Sequence, residues 1–166
     1  MNKNQKLIIT GLATIFIVLI IVIGCVASKQ SEPEVSDFVA PTFEQTAVVG
    51  TPIEVDSSLN YQTFSVEDKM VIGMCGNLTL EEDNTVDIYF TSDATNPFWA
   101  KVRLLDEDGN ILGESGLIRA GEYVPSVTLT NPPRKSAMVI AKILTYEEET
   151  YYSKGSVTAQ VMLNVE

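Results

Sequence analysis

The sequence predicts an all-β protein: an antiparallel, Ig-like β-sandwich of about seven to eight strands, preceded by one N-terminal transmembrane helix. Three observations lead there. Apolar and polar side chains alternate with period two in short runs from residue 43 onward. Turn-forming Gly, Asp, Asn and Pro separate those runs about every 8–12 residues, the spacing of a sandwich rather than of βαβ units. Leu7–Val26 contains no charged residue and no proline. The Cys…Trp…Cys framework of antibody-type domains is absent, which leaves the strand topology open.

Taken in order, Ala47–Val55 and Tyr61–Val66 are irregular and suit one or two edge strands. Met70–Leu80 reads as a single strand through Cys75. In Thr85–Thr91, Val86, Ile88 and Phe90 face one side and Asp87, Tyr89 and Thr91 the other. Trp99–Leu105 repeats this, with Ala100, Val102 and Leu104 inward and Lys101 and Arg103 outward. The turn Asp106-Glu107-Asp108-Gly109-Asn110 then leads into Ile111-Leu112-Gly113, with Asp-Gly as the hairpin signal. Tyr123–Leu129 keeps Val127 and Leu129 on one face, and Ala137–Tyr146 is apolar on both faces, as a central strand would be. After a turn at Glu147–Thr150, Gly155–Val165 sets Val157, Ala159, Val161, Leu163 and Val165 on one side. No segment beyond residue 43 has helical periodicity.

The N-terminal run has the length of a membrane span. Twenty residues at a rise of about 1.5 Å cover roughly 30 Å, the hydrocarbon thickness of a bilayer. Fourteen of the twenty are Leu, Ile, Val or Phe. Each contributes about −0.3 to −0.6 kcal/mol at mid-membrane. Lys3 and Lys6 precede the run, so the positive-inside rule keeps the N-terminus cytoplasmic and sends the C-terminal part outside. The expected localisation is the cell membrane, single-pass, with an extracytoplasmic domain. The division is 1–27 anchor, 28–42 linker and 43–166 β-sandwich. The linker is polar and contains two prolines, and fifteen flexible residues span roughly 20 Å. Three fates compete for the anchor. Its length favours an uncleaved span, Val22-Ile23-Gly24-Cys25 resembles a lipobox in which Cys25 would be acylated, and Val26-Ala27-Ser28 would serve as a cleavage site.

All 22 acidic residues but only nine of the 11 basic ones lie beyond residue 27, a net of −13 for that portion. That sign excludes nucleic acid as a partner and disfavours anionic headgroups. Cys75 is the only cysteine beyond Cys25, so no disulfide can form inside the domain, and its apolar setting reads as core. Sparse cysteine use points to a bacterial chain.

Five stretches carry a family resemblance: Met74-Cys75-Gly76-Asn77, Val86–Thr91, Leu104–Gly113, Gly116–Tyr123, and Tyr151-Tyr152-Ser153 ahead of Gly155. Through them the chain resembles small membrane-anchored β-sandwich proteins of Gram-positive bacteria, a family with no established activity. The resemblance implies a surface accessory protein and transfers no catalytic residue.

The chain has no histidine, which removes the commonest general base and every Ser-His or Cys-His pair. Gly113-Glu114-Ser115-Gly116 departs from a nucleophile elbow at Leu117, and neither a P-loop nor a dinucleotide fingerprint is present. No enzyme and no cofactor is expected. Two acidic turns, Glu81-Glu82-Asp83-Asn84 and Asp106–Asn110, offer oxygen ligands; Asp106, Asp108 and Asn110 are the candidate Ca2+ ligands. Hairpin turns favour the same residues without a metal. Trp99, Tyr151 and Tyr152 are the candidate partner contacts, since aromatic side chains dominate protein interfaces. These features imply a membrane-anchored, non-enzymatic interaction module of a bacterial surface or envelope assembly, with a protein partner near the outer leaflet. The alternative is a lipoprotein binding a small ligand or cation such as Ca2+ through its acidic loops.

Overall fold

The structure is a computed structural model, and it describes residues 39–66 and 70–165. The transmembrane segment Leu7–Val26, the acylation candidate Cys25 and linker residues 28–38 lie outside the described residues. Among the described residues no helix is long and apolar enough to cross a membrane.

Among the described residues, ten strands form two five-stranded sheets. They are β1 (Val48–Val49), β2 (Tyr61–Val66), β3 (Met70–Cys75), β4 (Asn77–Thr79), β5 (Thr85–Ser92), β6 (Trp99–Leu105), β7 (Ile111–Glu114), β8 (Glu122–Thr128), β9 (Ala137–Tyr146) and β10 (Ser153–Asn164). The first sheet runs β1-β8-β5-β3-β2 and the second β4-β10-β9-β6-β7. The predicted all-β sandwich is therefore present, with one 3-10 turn at Ser57–Leu59. Ile72, Val86, Phe90 and Val124 of the first sheet join Val102, Leu104, Ile143 and Leu163 of the second in one apolar core. Each such side chain, once fully buried, stabilises the fold by about 1.5–3 kcal/mol before entropy is counted.

Four expectations need correction. Met70–Leu80 is two strands in different sheets, because the chain crosses between sheets at Gly76. The Gly76 N–H donates to the Asn60 carbonyl of the first sheet (3.0 Å), while its own carbonyl accepts from Met162 N–H of β10 (2.9 Å). This split and the two-residue β1 raise the strand number above eight; segments of two or three residues are too short to show a period. The sandwich is also not wholly antiparallel, since β4 runs parallel to β10 through Met162↔Asn77 and Asn164↔Thr79. Lys101 points outward in the alternation yet is 7% exposed, its ammonium held by Glu114 Oε1 at 2.8 Å. The expected central position of β9 holds, between β10 and β6; it buries one face, Val139, Ala141, Ile143 and Thr145, while the other is partly exposed and Met138 is open.

In β5 the expected face holds, Val86, Ile88 and Phe90 all being fully buried, but the pairing with β8 slips by one residue between Asp87 and Phe90. Pro125 lies opposite the slip and has no N–H to donate, so a bulge there loses no ladder bond. Tyr89 takes the left-handed conformation at this bulge, with φ of 46°. Its ring stacks on Tyr123 (centroids 6.4 Å) over the outer face of the first sheet.

The outer face also holds Cys75, which pairs with Tyr61 across β2 and β3 and is fully buried. Tyr61 lies across Gly73, where a Cβ would collide with its ring, and its hydroxyl donates to Thr91 Oγ1 (2.9 Å). Burial, aided by the charge of Asp87, pushes the Cys75 thiol up to about 12. At neutral pH it is a packed, protonated side chain.

Truncating Phe90→Ala should lower unfolding free energy by about 3–5 kcal/mol, because it opens a cavity between the sheets. Ile53→Ala, at a site 95% exposed, should change it by less than about 0.5 kcal/mol; urea titration of both variants measures the contrast.

Candidate functional site

Two of the aromatic candidates, Trp99 and Tyr151, meet at the end of the sandwich where residues 42–44 pack on the domain. Thr42–Glu44 lie beside Gly116–Ile118, with Leu117 N–H donating to Thr42 O (2.9 Å) and Glu44 N–H to Leu117 O (2.8 Å). The Glu44 carboxylate also accepts from Gly116 N–H at 2.7 Å. Its pKa is lowered: partial burial works against ionisation, but hydrogen bonds from the Gly116 and Thr46 amides and the Thr46 hydroxyl outweigh it. Gly116 is required for this approach, since a Cβ there would stand 2.5 Å from Glu44 N.

That clamp sets Phe43 edge-on to Trp99, with centroids 4.8 Å apart. Trp99 meets Tyr151 in a second edge contact at 5.2 Å, and the Arg119 guanidinium sits 3.9 Å above the Phe43 ring. Each aromatic pair adds about 0.5–1.5 kcal/mol beyond buried area, and an exposed cation–π contact about 0.5–1 kcal/mol. Arg119 also reaches Glu122 Oε1 at 3.3 Å. Trp99 and Tyr151 are thus brought together in one half-buried cluster, whereas Tyr152 next to them is 71% exposed. Tyr151 is held in the left-handed region (φ 58°) by the Glu147–Thr150 turn, where its N–H donates to Glu147 O. Phe43 and Arg119 were not legible as site residues. Neither lies in a periodic run, and only the pairing of residues 42–44 with 116–118 makes them neighbours.

Asn96, just before this cluster, is 6% exposed and behaves as a piece of strand. Its side-chain oxygen accepts from Val71 N–H (2.7 Å) and its amide donates to Val71 O (2.8 Å). It thereby satisfies the main chain of β3 beyond the short β3–β5 ladder.

Asp106, Asp108 and Asn110 lie at the opposite end of β6 from Trp99. Asp106 Oδ1 accepts from Asn110 N–H (2.7 Å) and Oδ2 from the Asn110 side-chain amide (2.9 Å), while Asp108 is exposed in the turn. These Asn110 bonds hold the Asp106 carboxyl below its ordinary range. In the other acidic turn, Asp83 Oδ1 accepts from the Thr85 hydroxyl and N–H. Both carboxylates close their own turns. Among the described residues no group of three or more His, Cys, Asp or Glu is arranged to hold a metal ion.

Ser115 of the elbow-like stretch is 4% exposed; its hydroxyl accepts from Val102 N–H (3.1 Å) and donates to Gly116 O (2.8 Å). It ties β6 to the segment after β7. Beside it, Glu114 takes Lys101 and Arg103 together, at 2.8 and 2.7 Å. Burial works against its ionisation, but hydrogen bonds from both cations outweigh it and lower the pKa. No protein-family model matches the chain, and no curated protein matches it.

Replacing Gly116→Ala should push residues 42–44 off the domain and uncover the sole tryptophan, Trp99. The expected outcome is a red shift of tryptophan emission and stronger quenching by acrylamide. Calorimetric titration of the full chain with Ca2+ should give no saturable heat, because the Asp106 carboxylate closes its own turn on Asn110 and no group of three acidic side chains converges there among the described residues.

Proposed function

We propose that this chain is a non-enzymatic, membrane-anchored interaction module working outside a bacterial membrane, in a surface or envelope assembly, with a protein as its partner. In this reading the sandwich is Ig-like and akin to the small Gram-positive surface proteins that its sequence resembles. The observation that carries the reading is the joining of an uncharged span, Leu7–Val26, to a compact acidic unit at Ala40–Glu166 with its own core. Such a layout serves position: a linker of roughly 20 Å holds the domain close to the outer leaflet.

Two further observations support it. Two nucleophilic side chains are engaged in structure: Ser115 bridges two main-chain segments, and the Cys75 thiol is buried and protonated. The aromatic cluster around Trp99, with Tyr152 exposed beside it, offers the side-chain types that anchor protein partners.

Expressed in a Gram-positive host, the full chain should sediment with membranes and resist alkaline carbonate extraction. Protease added to cells stripped of their wall should digest the domain. Mass spectrometry should find Met1 intact; a diacylated Cys25 would instead make the anchor a lipid, and a released soluble domain would overturn the reading.

A further inference from the structure

The long strand β10 is paired along most of its length on one side only, by β9. Along its other side, β4 pairs with Met162, Leu163 and Asn164 and then ends. Met162 N–H donates to Gly76 O and Asn164 O accepts from Leu80 N–H, so these residues turn their main-chain groups toward β4. Pairing with β9 is regular from Ser156 to Leu163. Strand alternation therefore aims the N–H and C=O of Gln160, Thr158 and Ser156 the same way, where no described strand receives them. Burial fades accordingly. Leu163 and Val161 are 0% and 2% exposed, but Ala159 and Val157, on the same face, are only half-buried.

The first sheet is open at the same side, because its last strand is β2. Two cavities line the seam between β2 and β10. One of about 370 Å³ lies between Val66 and Met70 on one side and Ile143, Gly155 and Val157 on the other. The second, of about 230 Å³, lies between Phe64 and Met74 and Ala159 and Val161. Val66 faces the start of β10 and Phe64 a later part, so the two edges run in opposite directions across the groove.

Charge is the deciding observation. Natural edge strands are commonly protected by charged side chains or proline. Here β2 has no charge, and β10 has only Lys154, already bridged to Glu147 at 2.9 Å. Neither strand contains proline. The rest of the domain is strongly acidic, and exposed Glu148 and Glu149 stand in the turn leading into β10.

We propose that the open edge of β10, facing β2, receives an extended peptide strand from a basic partner by β-strand addition. This rests on the interaction-module reading and names its site and partner class. The incoming main chain pairs with Ser156, Thr158 and Gln160. Its alternate apolar side chains cover Val157 and Ala159, and its basic flank meets Glu148 and Glu149. A second copy of this acidic chain is disfavoured by like charge.

The probe is the peptide Lys-Val-Thr-Val-Thr-Val-Lys, added to the full-length protein in detergent micelles and followed by residue-resolved amide exchange. In the protein alone, the Ser156 and Gln160 amides should exchange rapidly, and saturating peptide should slow them by about tenfold or more. The same peptide with Glu in place of both Lys should bind about tenfold more weakly. Thr158→Pro removes an outward N–H without touching the β9 ladder, and Val157→Lys places a charge in the groove; each should abolish the slowing while the thermal melt stays cooperative. Amides already protected in the protein alone would overturn the proposal, as would no slowing by peptide, or equal slowing in both variants. A failed anchor would show in the fractionation and leave this exchange result unaffected.

Discussion

Gly76 is the residue on which the two sheets depend. Its N–H belongs to the first sheet, through Asn60, and its carbonyl to the second, through Met162. One peptide unit on each side of a single α-carbon thus satisfies a different sheet, and main-chain groups buried at a corner tolerate no orphan. The crossing puts β4 beside the end of β10 and lets Leu78 reach the core with no exposure. It also decides what stays open. Because β4 runs parallel to β10 and begins only at Asn77, opposite Met162, the first part of β10 pairs with β9 alone among the described strands.

The sandwich therefore has sides of different character. Between the sheets, the core is closed and apolar. On the outer face of the first sheet, Tyr61, Tyr89 and Tyr123 form a cover that seals Cys75, with Gly73 leaving room for one ring and the bulge opposite Pro125 setting another. At the entry end, Phe43 and Arg119 dress Trp99. The seam between β2 and β10 joins apolar flooring to main chain that no described strand pairs.

Much of the candidate site was hidden from the sequence for physical reasons. Trp99 and Tyr151 could be named as aromatics near strand ends, but their contact needs β9 to set Tyr146 opposite Trp99 and the following turn to fold Tyr151 back. Phe43 depends on a pairing with Leu117, 74 positions away, for which no local pattern exists. Lys101 follows the alternation in direction; its burial comes from Glu114 on the neighbouring strand, a partner that a periodicity cannot contain. In sequence, the Asp106 turn fits either a metal ligand set or a self-closing hairpin. The bonds to Asn110 are those of the hairpin.

What the sequence determined by itself was the strand class of the longer segments, the inward faces of β5, β6 and the end of β10, and the acidity of the domain. These follow from side-chain period and charge, which are local or additive properties. The tertiary structure alone decided which sheet each strand joins, the parallel β4–β10 pair, the break at Gly76 and the open edge of β10. Each of those turns on which distant main chain supplies a hydrogen-bond partner, and main-chain groups are the same in every residue but proline. Alternation can say that a strand exists and which way it faces; it has no term for the neighbour a strand lacks.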